Sequence, residues 1–353
     1  MEFGWVFPST GDGSRLGTQI PEREVGRDLV EDVARKADAA PLGYVLVTTG
    51  FRNNHFGAGA SYSECVTTAT ALVMAMRNTD VMLAIRPGFI HPATFARMGG
   101  TIDTLSEGRL RINLVSGGAP LAVYGETLGH DERHARSREF LSIVQRLWSG
   151  EMVDHAGGHF RLEGAAIAPA VWHRRRVPIY ISGTSVSARA LCRDMGDVML
   201  VPSALPSALA ELLPGIKRDI GGKPVGTHYY LMARPNRQEA EAALHDLMDS
   251  VDPDALYGAP EKAHRPIARL GECFFDALGR IADHPAPCLA GSYDDVAEVL
   301  VGIGLLGIET VILQGYPVVD AIERFAAEVH PRVQRLLAER RFPDSDGCPT
   351  RRA

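Results

Sequence analysis

The sequence predicts an α/β protein, a (β/α)8 TIM barrel with insertions. Short apolar runs suited to strands buried on both faces occur eight times, near residues 3, 44, 81, 110, 177, 198, 227 and 310. A helical pattern follows each run, as expected of parallel strands joined by helical crossovers. No GxGxxG turn follows an early strand, so a doubly wound sheet lacks its usual signature. The organising unit runs from Val81 to Gly118: strand, loop, helix, strand and a glycine turn at Ser116-Gly117-Gly118.

The elements follow in order. Phe3 to Phe7 reads as the first strand, stopped by Pro8, and Ser9 to Pro21 as a loop. Glu24 to Ala39 places Val25, Leu29, Val33 and Ala34 on one helical side. Tyr44 to Thr48 is the second strand. The long loop FRNNHFGAGASY follows Thr49-Gly50, and loops of that length inside a domain are usually functional or disordered. Helix Glu64 to Met76 precedes the strand at Val81. The next helix opens at His91-Pro92, has apolar positions Phe95, Met98, Ile102 and Leu105, and closes at Gly108. His130 to Trp148 is helical, and Val153 to Pro169 reads as an inserted hairpin. Strands at Val177, Val198 and Gly226 alternate with helices at Val186, Pro206 and Gln238. Asp252 to Pro287 breaks the rhythm with few strand signals and reads as an excursion or lid. Helix Tyr293 to Leu306, strand Thr310 to Leu313 and helix Val319 to Arg340 finish the pattern. The expected organisation is one barrel domain over 1–343, with insertions near 153–169 and 252–287, and a flexible tail over 344–353.

The chain has 353 residues, 45% hydrophobic and 23% charged, an ordinary globular composition with ample core. Its net charge of -6 disfavours nucleic acid as a partner, and the run His173 to Arg176 is too short to reverse that. Five dispersed cysteines without CxxC spacing argue against a disulfide framework or a zinc site, and favour a reducing, cytoplasmic setting. There is no signal-peptide pattern and no apolar run of membrane-spanning length.

A barrel builds its site from residues just after each strand. That rule selects Thr10, Thr49, Gly50, Arg86, Ser116, Ser182 to Ser185, Pro202, Arg234 and Tyr316, joined by Asn113, His228 and Tyr230 where they point inward. No metal-spaced cluster, GxSxG elbow or P-loop is present. Ser182-Gly183-Thr184-Ser185 leads from a strand into a helix, whose unpaired amides and dipole suit a phosphate. A plain N-cap by Ser185 explains the same residues. Arg133 and His134 either reach that phosphate or form a solvated helix face. Arg86 faces either a ligand or another loop. For His55 an exposed histidine is the simpler expectation, and Trp5 and Phe7 are expected in the core.

FPSTGDGSRLGT, IRPGFIHPATFARMGGTIDTLSEGR, NLVSGG, HDERHARSREF, ISGTS and LQGYP occur in that order over about residues 3 to 340. Together they resemble the bacterial luciferase-like flavin monooxygenases, most nearly the two-component alkanesulfonate monooxygenases, with the pyrimidine oxygenase branch also similar. The resemblance implies a TIM barrel, reduced FMN supplied by a separate NAD(P)H-dependent flavin reductase, and O2 as co-substrate adding at the flavin C4a position. It implies flavin contacts at Thr49, Gly50 and Asn113, and phosphate contacts at Arg133, His134, Gly183, Thr184 and Ser185. His134 stands where relatives carry a tyrosine. Chemistry falls to His228, Tyr230, Tyr316 and Arg86, and substrate contacts to Asn53, His55 and Arg280. Alkanesulfonate enzymes carry a cysteine near the place of Asn53, and an Arg and a His where this chain has His228 and Tyr230. That argues for a small organic substrate other than a sulfonate. A homodimer or homotetramer is expected from the relatives. The alternatives are an F420-dependent dehydrogenase on the same barrel and a flavin-binding protein without catalysis.

Overall fold

Each short apolar run places alternate residues on opposite faces, and in the computed structural model these runs close into a barrel. The structure describes all residues except 19, 54, 58, 118–120, 175, 250, 252–265, 281–285 and 342–353. Strands β1 (Glu2–Val6), β2 (Tyr44–Val47), β3 (Asp80–Ile85) and β4 (Leu110–Leu114) lie side by side in parallel. A separate antiparallel hairpin, β5 (Val153–Ala156) and β6 (Arg161–Ala165), follows them. The sheet continues through β7 (Ile179–Ser182), β8 (Val198–Leu200) and β9 (Val225–Arg234). The chain then adds β10 (Ala268–Arg269), β11 (Phe274–Asp276), β12 (Cys288–Ser292) and β13 (Thr310–Gly315). Because β13 pairs in parallel with both β9 and β1, eight parallel strands close on themselves.

The interior and exterior of the barrel follow the period of two. Tyr44 and Leu46 join Val6, Met82, Ala84, Tyr180, Leu200 and Ile312 in one apolar cluster. Val45 and Val47, the alternate positions, pack in the main core under the helices. Gly4 leaves room for the Tyr44 ring, which a Cβ there would meet at 2.2 Å. The N-terminal end of the interior is closed by charge. Arg111 donates to Glu2 Oε1 at 2.8 Å and to Asp80 Oδ2 at 2.8 Å, and lies 4.7 Å over the Tyr44 ring. A half-buried cation with this many partners is satisfied and fills this end, and the opposite end carries the open loops.

Helices α1 (Arg27–Ala39), α2 (Cys65–Ala75), α3 (Pro92–Leu105), α4 (His130–Trp148), α5 (Val186–Met195), α6 (Pro206–Asp219), α7 (Arg237–Asp249) and α8 (Tyr293–Leu305) surround the strands. All eight strands expected from the sequence are present in order. Several local expectations change. Met98 and Leu105 are 39% and 47% exposed, whereas α3 buries Phe95, Ala96, Gly99, Gly100 and Ile102. A Cβ on Gly99 would meet Trp148 at 2.7 Å, so this helix packs through its glycines and turns the flanking apolar residues outward. It ends at Ser106, and the left-handed turn begins at Glu107 (φ 54°) before Gly108 (φ 88°). β12 is a strand the sequence reading missed: it lies parallel to the upper half of β9 and carries the antiparallel β11 and β10. Alternation is lost there because CLAGS is buried along its length. Of the excursion expected at 252–287, residues 252–265 and 281–285 lie outside the described residues, as does the tail at 344–353. The final helix, expected in one piece, runs as Val318–Arg324 and His330–Arg341 with a π turn at Phe325–Val329 between them. Among the described residues, no helix is long and apolar enough to cross a membrane.

Candidate active site

One wall of the barrel mouth joins the ends of β4 and β7 to the first turns of α4 and α5. Ser182 Oγ donates to Asn113 Oδ1 at 2.7 Å, linking the two strand ends. Arg133 Nε donates to the Ser116 carbonyl at 2.9 Å, and its Nη1 donates to the Leu128 carbonyl at 2.8 Å. Ser187 Oγ donates to Asp131 Oδ1 at 2.7 Å, so the N-termini of α4 and α5 adjoin. Gly183 sits at φ 131°, a conformation that suits glycine, and turns the chain into α5. Ser185 Oγ accepts from the Ala188 amide at 3.2 Å, as an N-cap should. The remaining first-turn amides of α5 keep the partial positive charge of a helix start.

Next to this helix start, His134 is buried and its Nδ1 has no partner among the described residues. Burial, followed by the nearby His130 and Arg133, holds its pKa below the usual imidazole value. The ring is therefore neutral at pH 7. Of the two alternatives for this pair, the solvated face does not hold: Arg133 is tied to carbonyls of the loop after β4 and His134 is buried, its ring 4.8 Å from that of His130.

The opposite wall is made by the loops after β1 and β2 and by the ends of β9 and β13. Thr48 Oγ1 lies 2.7 Å from Tyr62 Oη, and Thr10 Oγ1 lies 3.3 Å from His55 Nδ1. Gly50 allows the Tyr62 ring to close in, since a Cβ there would meet it at 2.6 Å. The His55 ring centre is 6.1 Å from that of Tyr316, and the His228 and Tyr230 rings are 5.0 Å apart. Gln314 Nε2 donates to Tyr316 Oη at 2.7 Å. Burial, with smaller contributions from Tyr230 and Asp12, pushes the Tyr316 phenol well above its usual pKa, so it stays a neutral hydroxyl. Beside it, a cleft of about 640 Å³ is lined by Ser14, Arg15, Met232, Arg234 and Tyr316.

His55 is buried rather than exposed, at 8% accessibility. The reason is Asn53, itself 1% exposed. Its Nδ2 donates to the Thr10 and Ser61 carbonyls at 3.0 and 2.7 Å, and its Oδ1 accepts from the His55 and Phe56 amides at 3.0 and 2.9 Å. Asn53, expected at the substrate, has its side-chain amide engaged with the backbone of its own loop and of the loop after β1. Arg86 donates to the Gly117 carbonyl, so it braces a neighbouring loop. Thr49, Gly50 and Thr184 are half-buried at the mouth. Arg280 ends the 3-10 turn Leu278–Arg280, and the placement of its side chain lies outside the described residues. Thr48, Tyr62 and Gln314 were missed by the sequence reading; the position of Thr48 at a strand end was a usable signal, while Tyr62 arrives only by loop folding. Cys65 carries no nucleophile, since burial and then Glu64 push its thiol up to about 12. Among the described residues, no group of three His, Cys, Asp or Glu could hold a metal.

Comparison with known proteins places this geometry in context. The family described as luciferase-like monooxygenase matches residues 1–302. A riboflavin lyase structure has a TM-score of 0.76 and 16% identity, covering 98% of this chain and 96% of that one. EDTA monooxygenase from Chelativorans sp. BNC1 has a TM-score of 0.74 and 17% identity, covering 95% and 94%. An F420-dependent secondary alcohol dehydrogenase has a TM-score of 0.69 and 18% identity, covering 94% and 98%. At these identities the likeness to solved structures is one of fold.

Proposed function

Because the chain belongs to the luciferase-like monooxygenase family, we propose that it is a flavin-dependent monooxygenase that takes reduced FMN from a separate NAD(P)H-dependent reductase and oxidises a small organic substrate with O2. The observation that supports a phosphate-bearing flavin is the adjoining N-termini of α4 and α5, joined by Ser187 and Asp131, with His134 one turn further along α4 and its Nδ1 without a hydrogen-bond partner among the described residues. Its chemistry fits a phosphate: backbone donors, a positive helix end and one free ring nitrogen.

On this reading, Ser185, Thr184, the α5 amides and His134 hold the phosphate. Thr49, Gly50 and Asn113 hold the ring system. When bound, reduced flavin supplies the electrons that activate oxygen. Tyr316, kept neutral by burial and fixed by Gln314, donates or accepts a hydrogen bond at Oη without acting as an anionic base. His55, His228 and Tyr230 share that end of the mouth and are the candidates for moving a proton. Asn53, His55 and Phe56 bury the inner part of the loop after β2 at this end, where they would limit the access of water.

The test is rapid mixing of protein and photoreduced FMN with oxygenated buffer. Reoxidation slower than that of free FMN, with a product containing one atom from labelled O2 once a substrate is found, supports the proposal. Reoxidation at the free-solution rate refutes it. The shared fold of the F420-dependent dehydrogenase keeps hydride transfer from F420 as a second reading. Tight F420 binding with no FMN binding would favour it.

A further inference from the structure

Phe51 and Tyr124, at 45% and 41% exposure, are the exposed aromatic side chains among the described residues, and they lie against one another. Their ring centres are 4.3 Å apart at an interplanar angle of 22°. Phe89, half-buried, completes the group with its ring centre 4.7 Å from that of Phe51. The three residues come from three successive strand–helix loops, after β2, β3 and β4. Phe51 directly follows Gly50, and Tyr124 ends the 3-10 turn Leu121–Tyr124 in the loop after Ser116. Val123, next to Tyr124 in the same turn, is 67% exposed.

These loops are braced. Arg86 donates to the Gly117 carbonyl, tying the loop after β3 to the loop after β4. Glu126 and Arg136 form an ion pair with side-chain exposures of 5% and 15%. Gly88 abuts that pair, since a Cβ there would meet the Glu126 carboxylate at 2.7 Å. The Leu128 amide donates to Glu126 Oε1 at 3.1 Å. Phe89 and Tyr124 thus stand on braced loops at the edge of a polar mouth, and Phe51 packs against both rings, which together form a preorganised surface. Stacked rings attract a further ring through offset π contact, which a linear alkyl chain does not supply.

Resting on the monooxygenase reading, we propose that this rim is a substrate subsite and that the substrate is a planar aromatic molecule. Calorimetric titration of the full chain with 2-naphthol and with 1-octanol compares a ring with a chain of related apolar size. The expected result is preferential binding of 2-naphthol. Phe51→Ala and Tyr124→Ala weaken 2-naphthol by about three- to tenfold, Tyr124→Phe leaves it unchanged, and FMN affinity stays constant in all three. Both residues are surface-exposed, and a thermal melt checks that each variant folds. Equal binding of the two probes, or unchanged 2-naphthol binding in both alanine variants, overturns the proposal. So does a loss of FMN affinity, which would give the rim to the flavin, or a change in sedimentation, which would give it to a second copy of the chain. Flavin reoxidation is measured on the same preparation. Fast reoxidation with selective 2-naphthol binding removes only the monooxygenase reading, and slow reoxidation without that binding removes only the aromatic subsite.

Discussion

Replacing Asn53 with alanine separates a scaffold role from a substrate contact. The side chain is 1% exposed and makes four hydrogen bonds between 2.7 and 3.0 Å, all to backbone groups of residues 10, 55, 56 and 61. At about 1 kcal/mol for each, their loss costs about 4 kcal/mol if the loop stays closed. Opening the loop to water relieves part of this and caps the global cost near 2 to 3 kcal/mol. The expected outcome is a lower urea midpoint and faster amide exchange at His55 and Phe56, by about a hundredfold. Asn53→Asp keeps the acceptor but turns a carboxylate toward the Thr10 and Ser61 carbonyls, so it loosens the same loop. Hydrogen exchange read residue by residue, with urea melts, makes the measurement. An Asn53→Ala protein with wild-type stability and unchanged exchange at both amides would refute the scaffold role. A change confined to substrate affinity would return Asn53 to the binding residues.

Other perturbations follow from the same geometry. Arg136→Met leaves Glu126, 5% exposed at its side chain, without its ion-pair partner and is expected to cost about 3 kcal/mol in urea unfolding. Burial alone would raise the Glu126 pKa, but the Arg136 hydrogen bond and the Leu128 amide outweigh it and leave the carboxyl below its usual 4.5. The stabilisation is thus complete above pH 4.5 and is lost as pH falls through the folded value; melts from pH 6 down to 3 should show this loss, reduced in an Arg136→Met, Glu126→Gln double variant. Gly183→Ala forces a side chain onto φ 131°, costing about 1 to 3 kcal/mol, and should weaken FMN binding measured by flavin fluorescence more than it lowers the melting temperature. Because Tyr316 stays neutral below pH 10, wild type and Tyr316→Phe should show the same inflections in flavin reoxidation rate between pH 6 and 9. An inflection lost in the variant would assign the phenol a titrating role.

The sequence by itself determined the barrel. Buried parallel strands read as continuous apolar runs, and each helix carries its own period and caps, so both are local signals. It also located the turn at Gly183 and the cap at Ser185, because an N-cap acts within three residues along the chain. Tertiary structure alone decided where Asn53, His55, Arg133 and His134 lie and what they bond to. A polar loop residue in isolation looks solvated, and only the folded loop shows that its amide pairs with a carbonyl 43 residues away. The same holds for β12, whose partner is β9 rather than a sequence neighbour, and for the aromatic rim, which three separate loops build. Hydrogen bonds and ring contacts between distant segments leave no periodic trace in the chain, so burial and partnership at the barrel mouth become visible only once the strands have brought those loops together.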